Sequence, residues 1–153
     1  MKINWKVLII CLVIAYGVAF IGSLFTAPGV SSDWYQQIKP GLTPPNYVFP
    51  IAWNILFFLI ALSLYFAWIK AKKSEKSKVA WLFGINLILN IFWSFLFFFL
   101  KNPISSFIEI IILWFSILFI VILIYRISKI SSYLIIPYLL WVGFASILNY
   151  LAI

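Results

Sequence analysis

The sequence predicts an all-α membrane protein, a five-transmembrane-helix bundle, and three observations carry that reading. The 153-residue chain is 66% hydrophobic and 9% charged, with a mean hydropathy of +1.16. Soluble domains are about half apolar and a quarter charged, far from this balance. Five apolar runs are each about the 20 residues that carry a helix across a hydrocarbon core of ~30 Å. Stretches such as 92–100 lack the alternation of polar and apolar positions that a membrane β-strand requires, so the runs are read as helices.

The first run covers about 7–26. Lys2 and Lys6 precede it in the manner of a secretory signal. Its ~20 apolar residues exceed a usual signal core and no A-x-A site follows, so it is expected to stay as the first helix. Cys11, the single cysteine, sits inside it as apolar filler and rules out an internal disulfide. Ala15, Ala19 and Ser23, four residues apart, form a ridge of small side chains suited to close helix contact, within or between subunits. A loop of about 27–46 follows. Five of the seven prolines, Pro28, Pro40, Pro44, Pro45 and Pro50, fall in or beside it. They predict an irregular, pre-stiffened connection rather than helix or strand, and long loops of this kind are usually lids or binding elements. The remaining runs, about 47–69, 79–100, 104–125 and 132–152, are joined by short connections. The whole of 1–153 therefore reads as one transmembrane domain.

The net charge of +8 is a matter of topology and requires no nucleic acid. Lys2, Lys6, Lys70, Lys72, Lys73, Lys76, Lys78, Arg126 and Lys129 lie on one side, and only Lys39 and Lys101 on the other. The positive-inside rule puts the N-terminus in the cytoplasm, with the Pro-rich loop and the C-terminus outside. The membrane expected is the cytoplasmic (cell) membrane.

The polar and aromatic exceptions gather beneath that loop. At 1.5 Å per residue, Trp53 lies about 9 Å below the outer face, Trp93 at a similar depth, Asn90 one turn deeper and Glu109 about 7 Å down. Trp141 falls near the middle of the last run. Phe49, Trp53 and Phe57 make one helical stripe; Asn86, Asn90, Trp93 and Phe97 a second; Trp141, Phe144, Ala145 and Leu148 a third. Trp5, Trp34, Trp68, Trp81 and Trp114, at or near segment ends, fit an interfacial belt. Trp53, Trp93 and Trp141 are too deep for it and serve either core packing or a pocket wall. Asn86, Asn90 and Asn149 are expected to face inward, Asn86 and Asn149 as interhelical glue. Glu109 either snorkels to the outer surface, pairs with Lys39 or Lys101, or makes a polar contact to a ligand.

Much chemistry is missing. There is no histidine, hence no His general base and no His ligand for haem iron. Asp33, Glu75 and Glu109 are scattered, so no acid pair or metal site is expected, and no P-loop or dinucleotide motif occurs. What remains is an aromatic cavity with a few amides, suited to a large, flat, hydrophobic ligand.

In order and spacing, the motifs resemble those of the TspO/MBR family, the tryptophan-rich sensory proteins and the mitochondrial translocator protein. They are Gly22 and Thr26 closing the first helix, Trp34-Tyr35, Lys39-Pro40 and Pro44-Pro45 in the loop, and Trp53. Asn90-x-x-Trp93 with Phe97-Phe98 follows, then P-Y-L-x-W-x-x-F-A-x-x-L-N from Pro137 to Asn149. The resemblance implies a five-helix bundle, often a homodimer, that binds porphyrins (protoporphyrin IX or haem) beneath the first loop and needs no cofactor. Carried over by position, Tyr35, Pro44, Phe49, Trp53, Asn90, Trp93, Trp141, Ala145 and Leu148 would contact the ligand. Trp34, Lys39, Pro40 and Pro45 would belong to the lid. It also implies that Glu109 stands where relatives tend to carry an acid. Two other functions stay open: light- and oxygen-dependent porphyrin degradation using Trp53 and Trp141, and transport of a sterol or other lipophile. Phe57 replaces a tyrosine frequent in relatives, and the C-terminal segment lacks the cation of a cholesterol-type pattern.

Overall fold

The computed structural model describes residues 2–153. Lipid offers no partner to backbone N–H and C=O groups, so the chain satisfies them within helices. These are α1 (Trp5–Val30), α2 (Asp33–Ile38), α3 (Val48–Lys70), α4 (Lys76–Ser94), α5 (Pro103–Tyr125) and α6 (Lys129–Leu151). A π-helical turn, Phe95–Phe99, prolongs α4. All but α2 are long and apolar enough to cross a bilayer. The protein is a multi-pass membrane protein. Four of its six α-helix starts are fixed by side-chain caps: Asn4 accepts from the Val7 N–H, Ser32 from Tyr35, Asn102 from Ser105 and Ser128 from Ser131.

The first loop departs from the reading as wholly irregular. α1 runs past Thr26 and through Pro28 to Val30, because a proline in the last turn removes one backbone bond without ending the helix. Ser32 then joins two helices. Its hydroxyl donates to the Gly29 carbonyl at 2.6 Å and accepts from the Tyr35 N–H at 3.3 Å, nucleating α2 inside the proposed loop. Only about residues 39–47 remain irregular.

The long helices form a closed ring in the order α1, α3, α6, α5, α4. The half nearest the basic loops is solid. Ile60, Ala61, Val79, Ile117, Ile120, Ile124 and Ile135 are wholly buried there, and Ser63 and Ser131 strap α3 to α6, each hydroxyl donating to the other's carbonyl at 2.8 and 2.6 Å.

At the opposite end Asn149, buried, ties α4, α5 and α6 together. It accepts from Trp93 Nε1 at 2.9 Å and donates to the Pro103 carbonyl at 2.9 Å. Asn149→Leu is expected to leave the indole N–H without this partner and destabilise the protein by about 1–2 kcal/mol; detergent-phase thermal unfolding checks this, with Asn149→Gln losing less. Trp114 is a correction to the belt reading. It lies mid-helix in α5, where a Cβ on Gly143 of α6 would stand 3.3 Å from its Nε1.

Candidate functional site

The loop half of the ring encloses a cavity of about 440 Å³, within the range of small-molecule sites. The π-turn helps shape one wall. Its i→i−5 bond from the Leu100 N–H to the Phe95 carbonyl, 3.0 Å, inserts an extra residue into α4 and buries Phe97 and Phe98. Trp93 stacks on Phe97, with centroids 5.3 Å apart and planes at 18°. Opposite, Trp53 lies 5.6 Å from Phe57 and 6.1 Å from Tyr138, and Phe49 meets Trp141 edge-on at 6.0 Å. Val142, Ala145 and Leu148 of α6 and Ile110 and Leu113 of α5 complete the apolar lining, with the Asn149 amide beside them.

The roof is α2 and the loop. Tyr35, buried, packs on Phe98 at 5.5 Å and Phe97 at 6.3 Å. Burial pushes its phenol above the ordinary value of 10.0, so near neutral pH it is a hydrogen-bond donor and not a phenolate. Pro40, Thr43 and Asn46 join it on the cavity.

Of the residues singled out in the sequence, Tyr35, Phe49, Trp53, Asn90, Trp93, Trp141, Ala145, Leu148 and Pro40 all line the cavity. Pro44, Pro45, Trp34 and Lys39 do not. The two prolines stand in the loop, Trp34 braces the roof by packing on Phe97 at 5.7 Å, and Lys39 Nζ donates to Asn46 Oδ1 at 2.9 Å. Glu109 is neither at the surface nor paired with a lysine. It is 4% exposed, with both carboxyl oxygens buried and lacking a protein partner among the described residues, and it lies off the cavity wall. Glu109 stands on α5, which packs closely on both α4 and α6, and the expectation of snorkelling takes no account of that packing.

Sequence reasoning missed Thr43, Asn46 and Phe98 as lining residues. Ser32 followed by Asp33 is a readable helix start that would have placed Tyr35 over Phe98; the π-turn has no comparable signal.

Asn90 Nδ2 donates to the Tyr138 hydroxyl at 2.9 Å, and Asn86 Nδ2 to Ser116 Oγ at 2.8 Å. These amides hold helices together, as expected of Asn86. By contrast Trp141 Nε1 and Thr43 Oγ1, both on cavity residues, are buried without a partner among the described residues. An aromatic, mostly apolar chamber of this kind suits a flat hydrophobic molecule.

A family model described as the TspO/MBR family matches residues 9–152, which include all of these walls. The chain belongs to the TspO/MBR family. It is similar to the tryptophan-rich protein TspO of Archaeoglobus fulgidus, 43% identical over 87% of this chain and 86% of that one. The tryptophan-rich protein TspO of Chlorobaculum tepidum is 37% identical over 94% and 91%. The translocator protein of Homo sapiens is 28% identical over 86% and 79%. Similarity at this coverage makes the five-helix ring and its loop-end cavity the frame on which TspO/MBR function is to be sought.

Proposed function

We propose that this TspO/MBR protein is a membrane receptor or carrier for porphyrins, which it holds in the aromatic cavity beneath α2 and the 39–47 loop. The observation that carries this reading is the convergence of Trp53, Trp93 and Trp141 on one cavity, with the Trp141 N–H lacking a partner among the described residues. Indole faces suit a flat π-system, and the spare donor suits a ring nitrogen or carboxylate. The basic residues of the N-terminus, the α3–α4 connection and the α5–α6 connection share one end of the bundle. By the positive-inside rule that end faces the cytoplasm and the roof faces out.

Titration of the purified protein with protoporphyrin IX is expected to quench tryptophan fluorescence saturably. Combining Trp53→Phe with Trp141→Phe weakens binding severalfold; unchanged affinity in the double variant would exclude this site. Haem gains little over the metal-free ring, because the chain has no histidine, Cys11 lies off the cavity and Tyr35 is kept as a neutral phenol.

A further inference from the structure

We propose that the cavity opens sideways, through a seam between α1 and α3, and that a flat lipophile dissolved in the bilayer enters by this route and not through the loop. This rests on the porphyrin reading for its ligand, and on the course of α1 for its geometry. In its first half α1 hugs α3. The Asn4 N–H donates to the Tyr65 hydroxyl at 3.0 Å, Cys11 and Ala15 are buried, and the Tyr16 hydroxyl donates to the Asn54 carbonyl at 3.0 Å. In its second half α1 leans on α4 and the π-turn instead. Phe25 packs on Phe95 at 5.4 Å and on Phe99 at 5.8 Å, and Gly29 is pressed against Phe98.

A helix that leaves one neighbour for another opens a wedge behind it. The Tyr16–Asn54 bond marks the apex of this wedge, and the cavity lies in its mouth. The exposure pattern agrees. Every cavity residue contributed by α2, α4, the π-turn, α5 and α6 is buried or half-buried, whereas Ser23 and Ala27 of α1 and Pro50 and Asn54 of α3 line the cavity and are also exposed. Only Asn46, at the edge of the loop beside them, shares this property. The four-residue ridge of small side chains thereby divides its work. Ala15 is a helix contact; Ala19, Ser23 and, one turn on, Ala27 keep the mouth unobstructed. Roof residues Tyr35, Pro40 and Thr43 are not exposed, so the loop side is the more closed one.

The test is kinetic, with protoporphyrin IX delivered in phosphatidylcholine vesicles to protein reconstituted in the same lipid and stopped-flow quenching as readout. Ser23→Leu combined with Ala27→Leu is expected to slow both association and dissociation, association by about tenfold, as a narrowed doorway demands. Loosening the loop with Pro44→Gly and Pro45→Gly leaves both rates near those of the wild type. Unchanged rates in the first variant, or faster association in the second, would overturn the route. A second measurement needs no ligand: a nitroxide on Ser23→Cys, in a Cys11→Ala background, collides with dissolved oxygen in preference to a water-soluble nickel chelate if the seam faces lipid, and the opposite preference, or shielding from both, overturns it. Absence of saturable quenching in the wild type would instead reject the porphyrin reading, leaving the nitroxide result to decide on the opening.

Discussion

Gly29→Ala is expected to destabilise the protein although it inserts a better helix former into α1. An added Cβ would stand 2.5 Å from Phe98 Cδ1, 2.7 Å from its Cβ and 2.8 Å from its Cγ. Because the root of the phenylalanine is involved as well as its ring, no rotamer change relieves the clash. Overpacking of this kind costs about 1–3 kcal/mol, against a helix-propensity gain of about 0.5–1 kcal/mol, so the steric loss prevails. Phe98 also supports Tyr35, which makes the roof the first casualty. Thermal unfolding in detergent measures the loss. Gly17→Ala and Gly84→Ala, where a Cβ meets nothing within 4 Å, should be neutral or mildly stabilising. Trimming the neighbour with Phe98→Leu should recover part of the deficit. Equal behaviour of all three glycine variants would remove the contact as a determinant of stability.

Ala145→Phe is expected to leave the fold intact while lowering porphyrin affinity by about a hundredfold or more, equivalent to roughly 3 kcal/mol. Ala145 is half-buried and faces the cavity from α6, alongside Trp141 and Leu148. A benzyl group there occupies space within the 440 Å³ that a tetrapyrrole would need. Fluorescence titration against an unshifted unfolding midpoint separates the two effects. Retained affinity would move the ligand elsewhere.

How much of this was legible beforehand depended on the kind of force involved. The five spans were, since hydropathy acts on about 20 residues at once, and their ends fall close to the predicted ones except where α1 continues to Val30. Cavity residues on regular helices were also legible: Phe49, Trp53, Asn90, Trp93, Trp141, Ala145 and Leu148 share faces set by the 3.6-residue period alone. Residues governed by local backbone events were not. Five prolines argued for an irregular loop, yet a single serine cap sufficed to build α2, and the π-turn shifted the phase of Phe97 and Phe98. Pro44 and Pro45 were placed at the ligand and in the lid by position in a shared motif, which says nothing about the direction a ring faces. Glu109 was judged by depth, which says nothing about the packing of its helix.

The division of the bundle into a solid half and a hollow one has a thermodynamic consequence. The chain supplies the interior of the basic half itself, through residues such as Ile117 and Ile120, whereas in the other half the interior is lent by whatever occupies the cavity. A guest present at about a hundred times its dissociation constant would add roughly 2.7 kcal/mol to the stability of the folded state. Occupancy of the cavity by such a guest would then be legible as a raised unfolding temperature, with the hollow half gaining more than the solid one.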